Sequence, residues 1–315
     1  MAVLHQMDRQ PVGVDPDWTI PQGFDRYSEA DHSTWISLYD RQAEILPQRA
    51  CDAFLNGLDS LDLRGHGIPD FDQLNEKLLA LTGWRVVAVP GRVPDAVYFD
   101  HLANRRFPAA NFIRRANELA FSPEPDIFHD VFGHVPMLTN PVFADYTQAY
   151  GKSGLRALSL GRLHNLARLY WYTVEVGLLE TREGLRIYGA AILSSRTESI
   201  FALSSPSPNR IGFDLERVMR TACRDVDLQQ VYFVVPSLQY LLDVMTGTGF
   251  GPLCAKLANA ADLAISGIEQ CDRIFTRGTQ AYGKSGGSLC RSAAERQRVG
   301  FRTHDPCQWN ATRQG

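Results

Sequence analysis

Along this chain the apolar positions recur at helical spacing more often than they alternate. From Ser33, the residues Trp35, Leu38, Tyr39 and Leu46 fall near one helical face, and Pro47 is placed to open a second helix holding Cys51, Phe54, Leu55 and Leu58. Asp70 to Thr82 repeats the device, with Phe71, Leu74, Leu78 and Leu81 inward and Gly83 as the stop. Trp84 to Val89 is a short strand closed by Pro90-Gly91, and Asp95 to Arg105 is helical again. The longest periodic run is Gly161 to Glu180, where His164, Arg168, Trp171 and Glu175 share one face of a regular helix. A turn and short strand follow over Glu183 to Ile187. Ser195-Arg196-Thr197-Glu198 then forms a capping-box pattern that opens a helix through Leu203. Asp214 to Cys223 and Ser237 to Met245 read as helices, and Val231 to Val235 as a strand between them.

Residues 1–25 carry prolines at 11, 16 and 21 without a period, which predicts an extended N-terminal segment. Residues 26–285 then form one folded domain, and 286–315 a tail that is disordered in part. There is no internal repeat and no linker between two cores. Many helices and a few short strands, without the alternation of a parallel α/β sheet, give a mainly α (α+β) fold.

Composition narrows the function. The chain has 315 residues, is 44% hydrophobic and 21% charged, and carries a formal charge of -3. That balance gives no electrostatic reason to expect nucleic acid or an anionic membrane as a partner. The N-terminus lacks a signal-peptide pattern and no apolar run is long enough to span a bilayer. Six scattered cysteines without a CxxC pair read as reduced thiols. The expectation is a soluble cytoplasmic protein.

Candidate chemistry is concentrated in two places. Residues 122 to 136 read Ser-Pro-Glu-Pro-Asp-Ile-Phe-His-Asp-Val-Phe-Gly-His-Val-Pro and set His129 and His134 in a largely apolar stretch. Downstream, Glu175 interrupts the aromatic run from Leu169 to Leu178. Two imidazoles and one carboxylate are the donor set of a facial iron site with open positions for oxygen. Five residues apart, however, the histidines stand about 140° around a regular helix and would not converge. A helix ending near Gly133, ahead of Pro136, could bring His134 round. Taken alone, such a trio is more commonly two separately bonded histidines and a salt-bridged glutamate, with Arg168 the available cation. What favours a metal is the cost of burying a carboxylate among aromatics without one. Asp130 either orients an imidazole or stabilises a helix start. His164 reads as a polar core residue or a partner of a ligand.

These residues, with others, resemble the pterin-dependent aromatic amino acid hydroxylases, and among them the short bacterial phenylalanine hydroxylases. The resemblance runs through Gly-Trp-Arg-Val-Val-Ala-Val-Pro-Gly from 83, Phe-His-Asp-Val-Phe-Gly-His-Val-Pro from 128 and Asn-Pro-Val-Phe-Ala-Asp-Tyr from 140. It continues in Tyr-Trp-Tyr-Thr-Val-Glu-Val-Gly-Leu from 170, Ile-Tyr-Gly-Ala-Ala-Ile-Leu-Ser-Ser from 187 and Phe-Asp-Leu-Glu-Arg-Val-Met-Arg-Thr from 213. It implies a helical catalytic domain binding Fe(II) through His129, His134 and Glu175. It further implies Arg114 on the substrate carboxylate, Ser122 and Ser194 near that end of the substrate, Trp171 against the substrate ring and Tyr98 stacked on the pterin. The implied reaction takes O2 and a tetrahydropterin and hydroxylates L-phenylalanine to L-tyrosine.

Without the resemblance, Arg114 reads as a surface charge, Tyr98 as an amphipathic helix residue, Trp171 as core and Ser194 as a helix-start hydroxyl. The chain departs from the pattern at Ala191, where a second glycine is usual, and at Val176, where phenylalanine is usual. Those departures leave altered regiochemistry or another aromatic amino acid as the main alternative. A zinc hydrolase and a helical binding protein with merely structural histidines are the others. With neither a regulatory domain nor a C-terminal heptad helix, the chain is expected to be a monomer.

Overall fold

The computed structural model describes residues 14–63, 67–119, 124–161, 163–223, 227–257 and 259–284. Helices open where the sequence supplies caps. In α1 (Glu29–Ala43) the Ser28 hydroxyl accepts from Asp31 N while the Asp31 carboxylate accepts from Ser28 N. The next helix, α2 (Asp52–Leu61), starts later than Pro47 suggests: Leu46–Gln48 is only a 3-10 turn. The cause is tertiary. Cys51 N donates to Ile187 O and Ile187 N donates to Arg49 O, so Ala50 is held in a bridge to Ile187 and Cys51 is extended. In α3 (Phe71–Thr82), Asp70 caps the start and Gly83, at φ 73°, takes the left-handed conformation that ends the helix. Leu81, expected inward, is exposed; the buried stripe ends at Leu78.

Two strands, β1 (Arg85–Val89) and β2 (Arg106–Ala110), pair in parallel across a helix, α4 (Asp95–Ala103). β2 has no period in the sequence and contains Pro108, which a two-stranded ladder tolerates because its edges are open. The longest helix, α5 (Pro141–Ser159), packs along α4 and is capped by Asn140. α6 (Leu163–Tyr170) leads to β3 (Leu178–Thr181) and β4 (Gly184–Ile187). A four-residue turn, α7 (Ala190–Leu193), precedes α8 (Arg196–Ser204), where the Ser195 hydroxyl accepts from Glu198 N as the capping pattern requires. With β5 (Asn209–Gly212), β6 (Val231–Val235) and β7 (Ile274–Thr276), the second sheet has the order β4-β3-β6-β5-β7. Leu238–Gly247 packs on α5 and β6, Leu215–Arg220 on α6, and Phe250–Leu257 on α5 and α6.

One hydrophobic cluster runs from Trp35 to Leu257 and ties these elements into a single core; a small satellite holds Trp18, Val89 and Val93. The mainly α (α+β) expectation is met. Among the described residues no helix is long and apolar enough to cross a membrane. Cys51, Cys254 and Cys271 take part in no disulfide, as expected, but Cys223 is disulfide-bonded, which the expectation of reduced thiols missed. The tail expected over 286–315 lies outside the described residues.

Candidate metal centre

His129 and His134 do converge, though not because a helix ends between them. Phe128–His134 is a π-helical segment, in which each turn holds an extra residue and i and i+5 lie one above the other. The 140° separation of a regular helix disappears. The same device recurs at Trp171–Glu175, which widens the end of α6, with Val176 N donating to Trp171 O. It turns Glu175 out of the helical face shared by His164 and Arg168.

The three side chains meet. His129 Nε2 and His134 Nε2 lie 3.4 Å apart, and each is 3.6 Å from a different Glu175 oxygen. One donor atom from each of the three side chains lies within 4.8 Å of the others, a triangle that could hold a single metal ion. All three side chains are largely or fully buried. Glu175 Oε2 has no hydrogen-bond partner, and Arg168 is not its cation: both terminal Arg168 nitrogens go to Asp262 at 2.6–2.7 Å. A buried carboxylate oxygen without a donor is costly, and a divalent cation at the triangle's centre removes that cost. The donor set fits iron. Burial holds both imidazoles neutral, with His129 well below its ordinary value and His134 down to about 4, so each Nε2 can offer a lone pair.

Backbone packing fixes Glu175. Gly189 lies so close that a Cβ there would stand 2.5 Å from Glu175 O and closer still to Gly177 N. The histidine segment is fixed by Asp126, a residue the sequence reading passed over. Its Oδ1 accepts from His129 N at 3.1 Å, and its two oxygens take Arg114 Nε and one Nη at 2.8 and 2.7 Å. The available signal was an acid three residues ahead of a histidine at a helix start.

Arg114 is therefore buried beside the histidine segment, with half of its fork committed to Asp126. Ser194 does not point at a separate subsite. Its hydroxyl donates to Ala190 O at 2.8 Å and accepts from His129 Nδ1 at 2.9 Å. Trp171 is core-buried and donates Nε1 to Gln229 Oε1 at 3.1 Å. Ser122 lies outside the described residues.

A cavity opens on the triangle, lined by Val89, Val93, Tyr98, Phe107, Pro108 and Asp130 beside His129, His134 and Glu175. The Tyr98 and Tyr170 hydroxyls are hydrogen-bonded, tying this wall to the end of α6. Asp130 accepts from Ala110 N at 2.8 Å rather than orienting an imidazole, and burial pushes its carboxyl up to about 7. Neither Ala191 nor Val176 lines the cavity.

Comparison with known proteins agrees with this geometry. The biopterin-dependent aromatic amino acid hydroxylase family matches residues 19–247. A phenylalanine-4-hydroxylase of Caulobacter vibrioides is 64% identical over 284 residues, covering 90% of this chain and 96% of its own. One from Chromobacterium violaceum is 53% identical over 273 residues, 86% of this chain and 92% of its own. The crystal structure of the Chromobacterium violaceum phenylalanine hydroxylase with iron and phenylalanine bound superposes with a TM-score of 0.79 at 54% identity. That match covers 82% of this chain and 94% of the other.

Proposed function

The chain belongs to the biopterin-dependent aromatic amino acid hydroxylases, and from that premise we infer that it is a phenylalanine 4-monooxygenase converting L-phenylalanine to L-tyrosine. The observation that carries the reading is the triangle of His129, His134 and Glu175, with its orphaned carboxylate oxygen, opening into one cavity. Bound ferrous iron and a tetrahydropterin supply the two-electron activation of O2. The protein's own residues do the rest. His129 and His134 offer Nε2, and Glu175 offers its carboxylate, from one side of the ion, which leaves the cavity side for oxygen. Apolar walls at Val89, Val93 and Phe107 exclude water from that side. Tyr98 offers a ring face to the pterin. Arg114, held by Asp126, keeps its remaining Nη for the substrate carboxylate. Trp171, fixed by Gln229, backs the substrate ring, and Ser122 completes the substrate end. We take 26–285 as the catalytic unit and the active species as a cytoplasmic monomer.

The test is one aerobic incubation of iron-loaded protein with L-phenylalanine and a tetrahydropterin, with products resolved by chromatography and mass detection. Pterin-dependent para-tyrosine is the expected product. Meta-tyrosine would overturn the regiochemistry, and no hydroxylated product from folded, iron-loaded protein would overturn the function.

A further inference from the structure

Residues 15–20 read in the sequence as part of an extended lead-in, yet they form a turn with a left-handed residue in it. Trp18 has a backbone φ of 65°, a conformation that bulky residues seldom adopt and that persists only where the surroundings enforce it. Here they do. Trp18 N donates to Asp15 O at 2.7 Å and Asp15 N donates to Thr19 O at 3.1 Å, closing a tight turn. Asp17 Oδ1 accepts from the Thr19 hydroxyl at 2.6 Å and from Thr19 N at 3.2 Å.

The turn is fastened at three points outside itself. Ile20 N donates to Ala88 O at 3.0 Å on β1. The Asp17 carbonyl accepts from His101 Nε2 at 2.8 Å on α4. Asp17 Oδ2 pairs with Arg106 at 2.9 Å on β2. Each anchor neighbours a cavity-lining residue on the same element: Val89 beside Ala88, Tyr98 one helical turn from His101, and Phe107 beside Arg106. The strained turn also delivers the Trp18 indole, 5% exposed, into the satellite cluster with Val89 and Val93, against which Tyr98 and Val97 pack. Val89, Val93 and Tyr98 thus line the cavity and also pack in the Trp18 cluster. The metal donors sit elsewhere, on the two π segments, and none of them contacts this turn in the bonds or cluster described.

We infer that Trp18, held by the Asp15–Ile20 turn, is a positioning residue that sets the Val89–Val93–Tyr98 wall at the spacing a flat pterin ring needs, without taking part in metal binding. The inference rests on the proposed function, in which Tyr98 faces the pterin. Filling the cluster behind a wall fixes where its front surface stands, because packed interiors relax only partly into a void.

The experiment uses full-length protein, loaded anaerobically with Fe(II), as parent, Trp18→Ala, Trp18→Phe and Asp17→Asn. Binding of 7,8-dihydrobiopterin is titrated calorimetrically, Fe(II) affinity is measured separately, and steady-state kinetics resolve the KM for tetrahydropterin from that for phenylalanine. In Trp18→Ala the Kd for dihydrobiopterin is expected to rise about tenfold, with Fe(II) affinity and the KM for phenylalanine within about twofold of the parent. Trp18→Phe recovers most of the loss, and Asp17→Asn, which keeps the indole but weakens its turn, falls between. If Trp18→Ala does not fold, the graded response of Trp18→Phe and Asp17→Asn decides. Unchanged dihydrobiopterin affinity in the folded variants overturns the inference, as does a parallel loss of iron and pterin. A parent that binds no dihydrobiopterin would instead bring down the proposed function, and this inference with it.

Discussion

The Ser194 hydroxyl is committed in both directions: it donates to Ala190 O at 2.8 Å and so accepts, at 2.9 Å, from His129 Nδ1. That choice fixes the tautomer. With its proton on Nδ1, His129 presents a bare Nε2 lone pair toward His134 and Glu175. A group that orients a ligating imidazole typically accounts for about tenfold to a hundredfold in metal affinity. Ser194→Ala is therefore expected to weaken Fe(II) or Co(II) binding by about that range while the fold is kept. Metal titration followed by the visible spectrum of the cobalt form measures it. Parent-like affinity would show that the tautomer is fixed by something else.

Glu175 gives a prediction of opposite sign for stability and binding. Its Oε2 is buried without a donor, and Arg168, the cation the sequence offered as its partner, is occupied by Asp262. In metal-free protein that carboxylate is a liability, since a buried charge without a partner is destabilising. Glu175→Gln should abolish tight metal binding, yet the metal-free variant should melt no lower than the metal-free parent. Calorimetry on both chelated proteins decides. A variant that melts well below its parent would mean the carboxylate has a structural partner after all.

The site was legible in the sequence as residue types but not as geometry, and the reason is local. His129, His134 and Glu175 stand out because polar groups interrupt apolar runs. A 3.6-residue turn separates the histidines, however, and no residue in Phe128–His134 announces a wider one. The π segments arise from what packs on them, such as the Gly177–Gly189 contact behind Glu175. Partners across long separations were equally hidden. Nothing near Arg168 in sequence points to Asp262, and Asp126 gave no sign that it would clamp Arg114. Caps were read in part: the helix starts at Asp70 and Ser195 were legible and both side chains accept from the backbone ahead of them, whereas Ser28 and Asn140 cap helices whose starts were not read. Strand β2 was invisible because its pairing with β1, not its own pattern, makes it a strand.

Gly189 tests how tightly backbone packing holds the carboxylate. A Cβ there would meet Glu175 O at 2.5 Å, with backbone rather than a flexible side chain as the obstacle. Gly189→Ala should cost about 1–3 kcal/mol of stability and displace Glu175, so that metal affinity falls together with the unfolding midpoint. Urea unfolding and metal titration on the same sample report both. Loss of stability with unchanged metal affinity would locate the adjustment in the 188–190 segment and leave the ligand in place.

Glu198 predicts a pH dependence remote from the metal. Its Oε1 accepts from the Tyr232 hydroxyl at 2.6 Å and from Gln229 N at 3.1 Å, and burial pushes its carboxyl up from 4.5 to about 7. Between those values the folded chain keeps a proton that the unfolded chain has released, so stability falls as pH rises. The contribution is fully present below about 4.5 and lost once pH passes about 7. Its slope is at most about 1.4 kcal/mol per pH unit. Glu198→Gln keeps an oxygen for the same two donors and carries no charge. The variant should therefore lose less stability than the parent between pH 5 and 8, and its advantage should be largest at the alkaline end. Unfolding midpoints across that range give the slopes directly. Parallel curves for the two proteins would mean that Glu198 is ionised in the folded state throughout, with Tyr232 and Gln229 N sufficient to hold its charge.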